Sequence, residues 1–129
     1  MIRLLIVDDH GVIREGLERL FATVPGVEVV GSAADGEQAV ALAERTAPDV
    51  VLMDVVLPEV DGVEATRRIA AAQPKCRIVI LSGYADLARL REGLRAGAVA
   101  YLLKDSGADA IVRAVQAAHA GTAVCGMGE

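Results

Sequence analysis

The sequence predicts an α/β fold in which a parallel sheet is covered by helices on both faces. Two observations predict it. Short, nearly continuous apolar runs recur along the chain, as in strands that are buried on both sides. Segments with apolar residues spaced by three and four alternate with these runs, so that a strand and a helix are repeated five times. Right-handed crossovers between the strands then produce a doubly wound sheet.

The five predicted strands are short apolar runs, each bounded by a turn residue or a charged residue. They cover residues 2–7, 27–30, 50–53, 77–81 and 99–103. Parallel strands need long crossover connections, and the segments between these runs are long enough to hold helices. The strands therefore belong to one sheet rather than to a set of hairpins.

Five predicted helices follow these strands, and most of them end beside a proline or a glycine. In the first, over residues 13–21, the apolar positions repeat at three and four, and Pro25 lies just beyond it. The other helices cover residues 36–46, 62–73, 86–96 and 106–120. Ser106 followed by Asp109 is similar to a capping box at the start of the fifth helix, and Gly121 fits the glycine that commonly ends one.

The composition indicates a single acidic domain and argues against several classes of protein. The chain has 129 residues, of which 53% are hydrophobic, so it can bury a core and is not a disordered chain. Aromatic residues make up only 2%, too few for a surface that stacks single-stranded nucleic acid. A net charge of −5 argues against binding of DNA or an acidic membrane by this chain itself.

The expected setting is the cytoplasm, with no membrane contact. No apolar run approaches the 18 residues that would suggest a membrane-spanning helix, and the N-terminus lacks the organisation of a signal peptide. The two cysteines, Cys76 and Cys125, do not form a disulfide framework in a chain with an adequate core. We therefore expect a reduced intracellular domain.

Polar residues lie where four of the five predicted strands end. Asp8 and Asp9 follow the first strand, and Asp54 follows the third. Ser82 follows the fourth strand and Lys104 the fifth. Each residue alone would be interpreted as a cap, a turn or a solvated loop residue. Because the carboxyl ends of parallel strands share one edge, where such sheets bind ligands, the five together predict a site.

The charges of these residues predict a magnesium site. Two carboxylates about 4 Å apart repel by roughly 4 kcal/mol at an effective dielectric constant near 20, so three of them need more than one lysine. Mg²⁺ is held by carboxylates, waters and phosphate oxygens. His10 and His119 fall in or beside the first and fifth predicted helices, so a zinc site is not expected. An aspartate beside Mg²⁺, a hydroxyl and a lysine suits phosphoryl transfer onto a carboxylate.

Four motifs resemble the receiver domain of bacterial two-component response regulators. They are VDDH at 7–10, VVLMDVVLPEVDG at 50–62, ILSGY at 80–84 and AYLLKD at 100–105. VDDH and LLKD are most similar to the subfamily with a helix-turn-helix (LuxR-type) DNA-binding output. The resemblance covers roughly residues 2–121 and implies a flavodoxin-like (βα)5 fold with strand order 2-1-3-4-5. We expect a receiver domain over residues 1–121, and in residues 122–129 a tail or the start of a linker to an output domain.

The resemblance also implies a role for each acidic residue of the site. Asp54 would be the phosphoacceptor, taking a phosphoryl group from a sensor histidine kinase, and its carboxylate would also be a ligand of Mg²⁺. Asp9 would bind Mg²⁺ directly, and Asp8 would do so mainly through water. The main-chain carbonyl of Val56 would be a further ligand of the ion.

The remaining roles concern the phosphoryl oxygens and the switch between two states. Ser82 would donate a hydrogen bond to one phosphoryl oxygen and Lys104 would pair with another. Tyr101 matches the aromatic position that reorients when the hydroxyl residue moves. Tyr84 is placed to shield the acyl phosphate from water, and Val56 offers no side chain to position a water, so we expect slow autodephosphorylation.

Several alternatives accompany this interpretation. Output through DNA would need a domain absent from this chain, and a homodimer formed on phosphorylation is a further hypothesis. A stand-alone receiver or phosphorelay intermediate would act through a protein partner instead. A haloacid-dehalogenase-like phosphatase expects a second aspartate two residues beyond the first, whereas Asp54 is followed by two valines. A flavodoxin-like cofactor binder would need a phosphate-binding loop where Asp8 and Asp9 lie.

Overall fold

The computed structural model describes residues 1–83 and 87–121. Its strands are β1 (Ile2–Val7), β2 (Val27–Ala33), β3 (Val50–Asp54), β4 (Arg77–Ser82) and β5 (Ala100–Leu103). Its helices are α1 (Gly11–Ala22), α2 (Gly36–Thr46), α3 (Gly62–Ala72), α4 (Leu87–Ala96) and α5 (Ala108–Ala120). The described strands pair in parallel in the order β2-β1-β3-β4-β5, so the predicted fold and the strand order are confirmed.

The core consists of two apolar layers, one on each face of the sheet. Alternate residues of β1 show the division, since Leu5 and Val7 face one layer and Leu4 and Ile6 the other. The first layer is completed by α2, α3 and α4, and the second by α1 and α5. Because helices cover both faces, every strand position near the centre is buried. This burial explains why the strands appear in the sequence as continuous apolar runs.

Several strands extend further than the sequence predicts, always toward the carboxyl edge. β2 continues to Ala33 because its later residues pair with β1 up to Val7, after a shift of register beside Gly31. β3 and β4 each include one more residue, Asp54 and Ser82. These polar residues are therefore held by the sheet itself rather than by loops, which fixes their positions.

The start of α5 differs from the prediction. Lys104–Ser106 forms a turn of 3₁₀ helix, and α5 begins at Ala108 after Gly107. Gly107 has φ of 99°, a conformation that interrupts the helix and that residues with a side chain rarely adopt. Ser106 therefore lies too early to cap α5, and the predicted capping box is wrong. Gly121, with φ of 88°, ends α5 as predicted.

The fourth predicted helix is confirmed within the described residues, where α4 begins at Leu87. The predicted helix begins at Asp86, and this residue lies outside the described residues. The same holds for Tyr84 and for the tail over residues 122–129, so the proposed role of Tyr84 and the domain boundary both stay predictions.

Candidate functional site

The carboxyl edge of the sheet brings together polar residues that are far apart in the sequence. Asp8 follows β1, Asp54 ends the adjacent strand β3, and Lys104 follows β5. The ammonium nitrogen of Lys104 lies 2.6 Å from Oδ2 of Asp8 and 3.3 Å from Oδ2 of Asp54. Asp8 and Asp54 are only 1% and 4% exposed, so these ion pairs form in a largely water-free environment. The structure thus brings these three residues together at one edge of the sheet.

A cluster of possible metal ligands surrounds this ion pair. One carboxylate oxygen each from Asp8, Asp9 and Asp54, together with a ring nitrogen of His10, lie within 4.8 Å of one another. Two of the three carboxylates are buried, and Lys104 neutralises only part of their charge. A small divalent cation with oxygen ligands would offset the remaining repulsion. The cluster therefore fits the magnesium ion that the sequence analysis implies.

Burial and the neighbouring carboxylate set the ionisation of Asp54. Burial and the negative charge of Asp8 raise the pKa of Asp54 above its ordinary value. The positive charge of Lys104 and a hydrogen bond from the main-chain N–H of Val56, 3.3 Å from Oδ1, act in the opposite direction but do not outweigh them. A proton is therefore bound more readily at Asp54 than at a solvated aspartate.

Lys104 remains an ammonium group in spite of its partial burial. Burial alone would lower the pKa of Lys104, but its hydrogen bond to Asp8 and the charges of Asp54 and Asp8 raise it. The positive charge is thus held at the point where the two buried carboxylates meet, and it is available to an anionic group that binds Asp54.

Asp8 is also contacted by two residues that were not predicted to belong to the site, His10 and Arg14. The main-chain N–H of His10 donates a hydrogen bond to Oδ1 of Asp8 at 2.8 Å, and the His10 ring nitrogen Nδ1 lies 3.1 Å from the same oxygen. Arg14 donates a hydrogen bond from its guanidinium to the main-chain carbonyl of Asp8 at 2.8 Å. The spacing of Asp8 and His10, in which an aspartate side chain accepts from the N–H two residues on, is the local signal that could have identified this turn.

The connection from β3 to α3 lies directly against the main chain of Asp54. A Cβ atom added at Gly62 would lie 2.0 Å from the carbonyl oxygen of Asp54, so only glycine fits there. The N–H of Gly62 donates to the carbonyl of Val55, and the carboxylate of Asp61 accepts from the N–H of Glu64 to cap α3. This close contact fixes the direction in which the chain leaves Asp54.

The remaining predicted residues lie at or near the same edge. Ser82 is buried at the end of β4, one residue beyond Leu81, the register partner of Asp54. Val56 follows Asp54 by two residues, and half of its surface is exposed. Tyr101 is only 1% exposed and packs in the layer formed with α2, α3 and α4. The structure thus describes Tyr101 in its inward position.

A cavity of about 410 Å³ lies at the opposite edge of the sheet. It is lined by the segments that precede β3 and β4, including Asp49 and Cys76. These segments join the amino ends of the strands, so the cavity is separate from the acidic cluster. In the described part of the chain, no helix is long and apolar enough to cross a membrane.

The parallel sheet and the acidic cluster at its carboxyl edge are the features that the resemblance to receiver domains implies. Residues 4–116 match the family model of the response regulator receiver domain. The chain belongs to this family, as its motifs predict. The match gives no support to the phosphatase or the cofactor-binding alternative.

Several transcriptional regulators have similar sequences. The transcriptional regulatory protein DegU of Brevibacillus brevis is 43% identical over 122 residues, which cover 95% of this chain and 52% of DegU. LiaR of Bacillus subtilis is 41% identical over 121 residues, which cover 94% of this chain and 57% of LiaR. The chain therefore spans little more than half the length of these relatives.

Solved structures of receiver domains have the same fold. A LuxR-family two-component response regulator from Aurantimonas sp. SI85-9A1 is 39% identical and superposes with a TM-score of 0.91, over 96% of this chain and 89% of that one. The receiver domain of a regulator named NarL from Mycobacterium tuberculosis is 34% identical with a TM-score of 0.89, over 93% and 97%. The similarity thus extends to both sequence and fold.

Proposed function

We propose that this chain accepts a phosphoryl group on Asp54 from a sensor histidine kinase and uses it to switch a transcriptional output. The observation that carries the proposal is the position of Lys104, whose ammonium group contacts both Asp8 and Asp54. A buried carboxylate beside a fixed cation and further carboxylates is suited to accept a phosphoryl group and to hold its charge. The family match and the names of the relatives support the same function.

The described residues divide the work of phosphoryl transfer. An oxygen of Asp54 bonds to phosphorus while the phosphorus–nitrogen bond of the donor phosphohistidine breaks, and the imidazole leaves with the electron pair and takes up a proton. Lys104 pairs with one phosphoryl oxygen and Ser82 donates a hydrogen bond to another. Asp9, Asp54 and the main-chain carbonyl of Val56 would hold Mg²⁺ directly, and Asp8 would do so mainly through water. The bound ion would neutralise charge on the transferring oxygens.

The same contacts suggest how the signal leaves the site. A phosphoryl group adds a charge near −2 at an edge where Ser82 and Lys104 are its nearest proposed partners. Movement of Ser82 toward that group would leave space that favours the inward position of Tyr101, in which the structure already describes this side chain, over an outward one. The population of the two corresponding surfaces would then shift. We place this receiver domain over residues 1–121, with DNA contacted only through an output domain beyond it. The relatives, of which this chain covers little more than half, are transcriptional regulators.

Labelling with acetyl phosphate tests the proposal. The full chain, incubated with acetyl phosphate and Mg²⁺, should gain the mass of one phosphoryl group by intact mass spectrometry, and a chelator should prevent the gain. Asp54→Asn should abolish it, because the amide cannot form the acyl phosphate. Asp109→Asn, which alters an exposed carboxylate on α5, serves as the matched control and should label as the wild type does. Labelling of Asp54→Asn to the wild-type extent would refute the assignment.

A further inference from the structure

The imidazole ring of His10 contacts the carboxylates of the acidic cluster, and no other role for this ring is evident among the described residues. His10 precedes α1 as its N-cap residue, yet within the described chain its side chain caps no N–H group of that helix. The side chain is 64% exposed, so burial does not explain its position. Its nitrogen Nδ1 lies 3.1 Å from Oδ1 of Asp8 and 3.0 Å from Oδ1 of Asp9.

The four possible ligand atoms of the cluster lie nearly as close together as the ligands of a small cation. Ligands about 2.1 Å from a zinc ion lie about 3.4 Å apart at the corners of a tetrahedron. The ring nitrogen is 3.0–3.1 Å from two carboxylate oxygens, and the whole set with Asp54 falls within 4.8 Å. The nitrogen is therefore close to a ligand position without any large movement.

The type of ligand changes which ion the site prefers. Mg²⁺ prefers oxygen ligands, whereas imidazole nitrogen is well suited to zinc, nickel and copper. The sequence alone does not predict a zinc site, because it places His10 beside the first helix rather than at the acidic cluster. We propose that His10 supplies a nitrogen ligand that makes the acidic cluster bind Zn²⁺, in competition with Mg²⁺, more tightly than the three carboxylates alone would. This inference rests on the proposed function, because the same carboxylates are assigned to Mg²⁺.

Calorimetric titration of the full chain with ZnCl₂ and, separately, with MgCl₂ tests the inference. All variants carry Cys125→Ser, so that this thiol does not bind zinc. His10→Ala should lower the affinity for Zn²⁺ on the order of tenfold or more and change the affinity for Mg²⁺ by less than about twofold. His119→Ala, which removes the other histidine from an exposed position on α5, should change neither affinity.

Imidazole nitrogen resonances give a readout that does not depend on affinity. In a ¹⁵N-labelled chain, Zn²⁺ should shift the Nδ1 resonance of His10 and leave the resonances of His119 in place. Mg²⁺ should shift neither set by a comparable amount. Circular dichroism of His10→Ala should match the wild type, because the substituted side chain is largely exposed.

Three results would overturn the inference. An imidazole ring that only donates a hydrogen bond to Asp8 and Asp9 would place Nδ1 at the same distances from their carboxylates. In that case His10→Ala would change the affinities for Zn²⁺ and Mg²⁺ equally, or would raise both. The inference would also be overturned if His10→Ala left the Zn²⁺ affinity unaltered, or if Zn²⁺ did not shift the His10 resonance. The failure of the proposed function is distinct, since it would appear as the absence of Mg²⁺-dependent labelling in the wild type.

Discussion

Asp8 shows how single residues organise the site. One of its oxygens accepts from the main-chain N–H of His10, and the other pairs with Lys104. Its side chain is only 2% exposed, so each of these bonds forms with little competition from water. Asp8 therefore connects the end of β1 to the residue after β5, and it holds Lys104 within reach of Asp54.

Cys76 provides a test of burial at a single residue. Burial and the charge of Asp49 raise the pKa of the Cys76 thiol from 9.0 to about 11. Between pH 9 and pH 11 the unfolded chain therefore loses the thiol proton while the folded chain keeps it. The folded state loses stability over this window, by about 2 to 3 kcal/mol in total, and the contribution is fully present below pH 9.

Urea unfolding below pH 9 and near pH 11 measures this effect, with Cys125→Ser in every sample so that Cys76 is the only thiol. The free energy of unfolding of the Cys76 protein, minus that of Cys76→Ala, should shrink as the pH rises. Because other groups titrate in the same range, the difference between the two proteins is the relevant quantity. A difference that stays constant with pH would show that the thiol is not shielded.

Residues at strand ends could be predicted from the sequence, whereas local contacts could not. Asp54 and Lys104 follow apolar runs, and the topology of a parallel sheet then places them at one edge. The contact of His10 with Asp8 and Asp9 depends on the orientation of one ring before α1, about which the apolar pattern gives no information. The inward position of Tyr101 likewise depends on packing between layers.

At the scale of elements, the ends of helices are where prediction and structure differ. The apolar pattern places α5 correctly, but the 3₁₀ turn at Lys104–Ser106 delays its start. Gly107, between them, has a positive φ that only the backbone geometry shows. The strands β2, β3 and β4 extend because pairing with a neighbour continues past the last apolar residue.

The end of α2 can be stabilised by one substitution. Ala47 follows the helix in the left-handed conformation, with φ of 48°, which a Cβ atom disfavours. Ala47→Gly should therefore raise the free energy of unfolding by about 0.5 to 1 kcal/mol, since glycine is the preferred residue at such helix ends. Thermal and urea unfolding provide the measurement.

The control for this substitution is Ala41→Gly, at an exposed position inside α2. There the backbone is helical, and glycine should lower the free energy of unfolding by about 1 kcal/mol. The two substitutions make the same chemical change, one inside α2 and one at its end, so opposite signs isolate the effect of the left-handed conformation. Destabilisation by both would contradict the explanation.

At the scale of the whole molecule, the site and the core depend on the same topology. The order β2-β1-β3-β4-β5 makes β1 and β3 neighbours, so that their carboxyl ends place Asp8 and Asp54 side by side. The ammonium group of Lys104 offsets only part of the repulsion between these two buried carboxylates, so that a further cation bound beside them would favour the folded state. Binding of a cation at the site should therefore be coupled to the stability of the entire domain.

Mg²⁺ should raise the melting temperature of the whole domain. An ion that binds only the folded state stabilises it by about 1.4 kcal/mol at ten times its Kd, which corresponds to about 5 °C in a domain of this size. Asp9→Asn should remove most of this gain, because Asp9 is assigned as a direct ligand and its side chain is 33% exposed, so the substitution leaves the core intact. Asp109→Asn should keep the full gain, because its exposed carboxylate is not one of the cluster of possible metal ligands. Differential scanning calorimetry with and without MgCl₂, at constant ionic strength, measures the rise in melting temperature of each variant. An equal rise in Asp9→Asn and in the wild type would show that the ion binds elsewhere.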